Sequence, residues 1–133
     1  METTIIVVKS QVEFDALPNS FDKFTTIKIE SGETILVDRN RTNGHIEVTA
    51  SSVKVCGDSS IVGFENSRIE ASGDARVGAY DNCRVNAKGN SLIFAWDDSR
   101  IVASENSEVE IWGKDALVIL SGNATSSVKG NEH

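Results

Sequence analysis

The sequence predicts an all-β fold, a parallel β-solenoid, and three observations carry that expectation. First, β-branched residues recur every eight positions, at Val53, Ile61, Ile69, Val77, Val85, Ile93, Ile101 and Val109. Second, the places two and six residues further on are small or β-branched, as in Ala71, Ala79, Ala87 and Ala95, and Ser59, Ser67, Ala75 and Cys83. Third, between them stand turn dipeptides such as Gly57-Asp58, Glu65-Asn66, Gly73-Asp74 and Asp81-Asn82. Gly, Asn and Asp tolerate the positive φ that a corner needs. Each octad therefore reads as a short strand and a corner, with odd positions pointing inward and even positions outward.

An antiparallel sandwich would also alternate. Strands of about three residues at a fixed spacing suit it poorly, because ordinary strands run to about five or six. A second period sets the size of the coil. The fourth octad position is aromatic only in alternate octads, at Phe64, Tyr80, Trp96 and Trp112. The fifth alternates in step, with Glu65, Asp81 and Asp97 against Gly57, Gly73 and Gly89. One coil is thus expected to be two octads, or sixteen residues, and residues 46–125 make about five coils at a spacing of about 4.8 Å. A three-octad, triangular coil is the alternative, and the sixteen-residue alternation speaks against it. After Ile111 the register slips by one residue around Asp115 and resumes with Val118 and Leu120.

Residues 1–45 lie outside the octad and are expected to form an N-terminal capping segment. Thr4 to Val8 reads as a strand, and Ser10-Gln11-Val12-Glu13 has the capping-box form of a short helix that Pro18 limits. Phe24 to Ile29 and Glu33 to Val37 read as strands around Ser31-Gly32. A solenoid end exposes unpaired strand edges unless something covers it. Phe14, Leu17, Phe21 and Phe24 are expected to close the core there. The other end has no such cover, and residues 126–133 read as a flexible tail. That asymmetry makes Leu117, Val118, Ile119 and Leu120 the expected contact with another subunit.

Bulk composition narrows function more than it defines it. The 133 residues suffice for one domain with its own core. Twenty acids against 13 bases give a net charge of −7, which argues against direct binding to a nucleic-acid backbone. It is compatible with a protein partner of basic surface. Cys56 and Cys83 form no CxxC pair and read as thiols of a reducing compartment. The start METTIIVVKSQ has no basic n-region with a long apolar core, and no apolar run reaches the length of a membrane span. A cytoplasmic protein that contacts no membrane is expected.

Chemistry-bearing motifs are absent. His45 and His133 are isolated, so no zinc set forms. The sixth-position column of Asp and Asn lacks the GGxGxD spacing of calcium solenoids, and corner hydrogen bonding explains it better. Asp97 and Asp98 are adjacent and point apart, which does not suit paired-carboxylate chemistry. No phosphate loop or nucleophile elbow is present. Neither metal nor cofactor is expected, and no enzyme.

Two columns remain as candidate surfaces. The rings of Phe64, Tyr80, Trp96 and Trp112 form either an exposed binding strip or a ladder that stiffens the solenoid. The acids Glu65, Asp81, Asp97 and Asp98 run beside them, with Arg68, Arg84 and Arg100 three positions on. Either the two charged columns compensate one another, or the acids present a row of negative charge that imitates phosphates.

The octad V-x-A-x-G-N-S-x resembles the short-repeat β-solenoid proteins of bacteriophages and other mobile elements, and more loosely the bactofilin-type polymer-forming β-helices. It covers residues 46–125, and FDALPNSFDKFTTIKIESGETILV looks like the leader of the phage group. The resemblance implies architecture first, since solenoids host unrelated functions. It also implies host-cell cytoplasm and a small acidic inhibitor of a host nucleic-acid-handling enzyme, of anti-CRISPR or anti-restriction type. The alternative it implies is a self-associating structural β-helix, as in phage fibres or bacterial scaffolds. Carbohydrate binding by the aromatic strip is a third, weaker expectation.

Overall fold

Alternation of inward β-branched residues with outward polar ones builds two parallel sheets that face each other across one narrow core. The computed structural model describes residues 4–38 and 42–129. In chain order the elements are β1 (Thr4–Val8), α1 (Gln11–Asp15), β2 (Ser20–Ile29), β3 (Ile35–Val37), β4 (Thr42–Thr49), β5 (Ser52–Val55) and β6 (Ser60–Phe64). There follow β7 (Arg68–Ala71), β8 (Arg76–Ala79), β9 (Arg84–Ala87), β10 (Leu92–Ala95), β11 (Arg100–Ala103), β12 (Glu108–Ile111), β13 (Leu117–Leu120) and β14 (Thr125–Val128). One sheet runs β1-β2-β4-β6-β8-β10-β12-β14, and the other β13-β11-β9-β7-β5-β3. From β2 onward consecutive strands fall in opposite sheets, so the chain winds as a β-solenoid whose coil holds one strand of each.

Register follows the octad. Ile61, Val77, Ile93 and Val109 lie in one column of the first sheet, sixteen residues apart. Val53, Ile69, Val85 and Ile101 do the same in the second. All eight are at most 2% exposed. The alanines two places on and the small residues six places on are buried with them, which lets the sheets approach closely. Fifth positions depart from the expected inward pointing of odd places. They sit at corners and face solvent, with φ near +60° at Glu65, Asp81 and Gly89.

The solenoid has about six turns, one more than the octads indicate. The additional coil is β2 with β3, drawn from the segment read as a cap. Ile27 pairs with Ile46 and Ile35 with Val53, separations of 19 and 18 residues that hide the repeat. Beyond it, β1 extends the first sheet and α1 stands where the second sheet would continue. Ser10 caps α1 by accepting from the Glu13 N–H at 3.2 Å, while the Glu13 carboxylate accepts from Lys9 N–H, one residue earlier than in the usual capping box. Gln11 then closes the edge of β3, for its side-chain oxygen accepts from Leu36 N–H at 2.7 Å and its amide donates to Leu36 O at 3.2 Å. Phe14 is buried, and Leu17 and Phe21 pack against the core. Phe24 is a correction: it points outward, is 51% exposed and stacks on His45.

At the far end the separations lengthen to 17 residues, as Val109 pairs with Ser126 and Ile101 with Val118, which is the slip near Asp115. Residues 126–128, placed in the tail by the sequence, belong to β14, which pairs with β12 and is exposed throughout. Among the described residues no helix is long and apolar enough to cross a membrane.

Cys83 illustrates the dryness of the interior. Burial, and secondarily the Asp81 charge, push its thiol up to about 12 from 9.0. The folded state therefore keeps a proton that the unfolded chain loses. Stability is expected to be intact below pH 9 and to fall through the window from 9 to about 12, by up to about 1.4 kcal/mol per pH unit. Urea titrations of wild type and Cys83→Ala across that range check this, and the variant lacks the fall.

Candidate functional site

Outward residues of the first sheet stack by the same register that aligns the core. Phe64 ends β6, Tyr80, Trp96 and Trp112 directly follow β8, β10 and β12, and the four rings form one ladder. Centroids are 5.4, 5.6 and 5.4 Å apart and planes lie within 20° of parallel, an offset-stacked arrangement. The first three rings are half-buried and Trp112 is 39% exposed. Position two of the same octads widens the strip, with Val62, Gly78 and Phe94 outward on β6, β8 and β10. Gly78 leaves a gap between its neighbours, and a shallow groove of about 410 Å³ runs there, bordered by Tyr80, Phe94, Trp96 and Trp112. Phe94 and Gly78 are the members that sequence reasoning missed. Their signal is the second octad position, which lacks a uniform residue type.

The acid column acquires a structural role that no sequence pattern states. Glu65, Asp81 and Asp97 are the left-handed corner residues, and their N–H groups face the next coil. The Asp81 carboxylate accepts from Glu65 N–H at 3.0 Å, and the Asp97 carboxylate from Asp81 N–H at 3.1 Å. At the opposite corner the Glu105 carboxylate accepts from Gly89 N–H at 2.8 Å. A carboxylate offers about four acceptor sites, so the remaining oxygen still faces water. Glu65, Asp81, Asp97 and Asp98 are exposed and, with Asn66 and Asn82, line one open polar groove. Asp98 stands one column over, next to the asparagines.

Mutual compensation of the charged columns does not occur by contact. Among the described residues the one contact between an acidic and a basic side chain is His45 with Glu47 at 3.4 Å. Arg68, Arg84 and Arg100 lie in register on the outer face of the second sheet, exposed, with the asparagine column between them and the acids. The Asp81 and Asp97 carboxylates accept from backbone N–H groups instead.

The four residues expected at an interface divide in two. Val118 and Leu120 occupy inward columns, above Ile101 and Ala103, and cover the open end of the core. Leu117 and Ile119 continue the outward columns of the second sheet and are 54% and 57% exposed. Among the described residues, no group of three His, Cys, Asp or Glu side chains is placed to hold a metal ion.

Fold and surface together define a parallel β-solenoid with an aromatic strip and an acid row along one corner. No protein-family model, curated protein or solved structure matches the chain.

Proposed function

We propose that the chain is a non-catalytic binding protein that docks its aromatic strip and acid row on a basic surface of a protein partner. On the phage-type resemblance, the partner class is a nucleic-acid-handling enzyme, which the bound solenoid inhibits. The observation that carries the reading is the stacked ladder from Phe64 to Trp112 beside a carboxylate row fixed by backbone hydrogen bonds. Half-exposed aromatic rings in one contiguous strip are a common mark of a binding surface. Both elements sit at tight corners between strands, held coil to coil by backbone hydrogen bonds such as Tyr80 N–H to Gly63 O and Trp96 N–H to Ala79 O, so little ordering entropy is lost on binding.

Affinity capture from lysate at low and high salt, with wild type and Trp96→Ala in parallel, tests it. A partner retained by wild type, weakened by salt and weakened by about 2 kcal/mol or more in the folded variant is the expected result. A partner bound equally by both chains, or no partner, contradicts it.

A second reading, self-association, is favoured by the open C-terminal end. Leu120 and Val128 are 41% and 73% exposed there, and among the described residues no helix covers β13 as α1 covers β3. An oligomer broken by Leu120→Asp and insensitive to salt supports it. A concentration-independent monomer in sedimentation removes it.

A further inference from the structure

The acid and arginine columns occupy the same three coils. Glu65, Asp81 and Asp97 form one, and Arg68, Arg84 and Arg100 the other, aligned through β7, β9 and β11. In the coil before, the corresponding places hold Ala50 and Ser52, since Thr49 pairs with Phe64 and Ser52 with Arg68. In the coil after they hold Gly113, which lies against Asp97, and Leu117, which pairs with Arg100. Each arginine thus comes with one acid, and both columns begin and end together. No ion pair joins them within the molecule, among the described residues. Like charges stacked at coil spacing repel, so each column is incomplete alone.

We propose that each column is neutralised by the opposite column of a second copy of this chain, in a side-by-side dimer with parallel solenoid axes. A two-fold axis parallel to the solenoid, set against this corner, keeps every coil at its height and exchanges the two sides. Glu65 then faces the second copy's Arg68, Asp81 its Arg84 and Asp97 its Arg100, and reciprocally. Because the repeat sets both spacings, alignment of one pair aligns the others. The antiparallel arrangement lays acid on acid and arginine on arginine, and charge excludes it. One coil further on, exposed Leu117 meets the place where the second copy has only Gly113.

The dimer uses the acid row that also serves the basic partner proposed above, so the two complexes exclude each other. The test uses the purified full chain alone, and its failure leaves that reading standing. In sedimentation equilibrium at low salt, wild type is a dimer whose dissociation constant rises at least about tenfold at high salt. The Arg84 side chain points outward on β9, so Arg84→Glu keeps the fold, checked by circular dichroism, and weakens the dimer at least about tenfold. Arg100→Glu does the same. Adding Asp81→Arg to Arg84→Glu restores association, because the reversed charges meet across the axis. A wild-type monomer at low salt overturns the proposal. So does a dimer equally tight in Arg84→Glu and Arg100→Glu, or a folded double variant that stays monomeric.

Discussion

Gly113→Ala is expected to cost about 3 kcal/mol, although it adds a single methyl group at the surface of the last complete coil. A Cβ built at Gly113 overlaps the Asp97 nitrogen and falls 2.9 Å from the Trp96 carbonyl carbon. Both atoms are backbone, so no rotamer change relieves the overlap, and the coils must separate. Overpacking commonly costs about 1–3 kcal/mol, and a clash with fixed backbone belongs at the upper end. Separation also pulls Trp112 from Trp96, whose centroids are 5.4 Å apart. Gly32→Ala is the control. Nothing lies within 4 Å of its Cβ position, and its loss stays within about 0.5 kcal/mol. Urea denaturation of the two variants beside wild type reads the difference, and equal stabilities contradict the close stacking of the aromatic corner.

Ile93→Ala is the second large effect, at about 3–4 kcal/mol. Ile93 is 0% exposed and holds the middle of the inward column, between Val77 and Val109. Deleting three buried carbons loses their transfer free energy and leaves a cavity that strands held on both edges cannot collapse around. Ile119 has the same residue type and the same β environment, but it faces outward and is 57% exposed. Ile119→Ala in a monomeric sample is expected to cost no more than about 0.5 kcal/mol. Thermal melts of both variants check the contrast, which depends only on which face of its sheet each isoleucine occupies.

The repeat was legible because place in the coil dictates side-chain chemistry. Inward strand places demand β-branched or small residues, and corners demand residues that accept positive φ. The slip at Asp115 was legible for the same reason. The β2–β3 coil was hidden, because its separations of 19 and 18 residues break the period and β2 shifts register between Ser20 and Thr25. Phe24 was misread since an aromatic beside a core strand looks like core, whereas the pleat turns it outward toward His45. Ring stacking followed from the sixteen-residue period. The role of Asp81 and Asp97 did not, because it depends on where a left-handed corner aims its N–H. Nor does sequence spacing alone show whether Arg84 touches Asp81. Three residues around a corner carry the two side chains to different faces.

Backbone pairing between residues sixteen apart is the claim on which the strip, the acid row and the arginine column all depend. Inter-strand NOEs between backbone protons of the isotopically labelled chain measure it. Parallel contacts between β8 and β10, around Val77 and Ile93, and between β9 and β11, around Val85 and Ile101, are the expected result. Antiparallel backbone contacts between consecutive strands such as β8 and β9 would contradict the solenoid and every surface built on it.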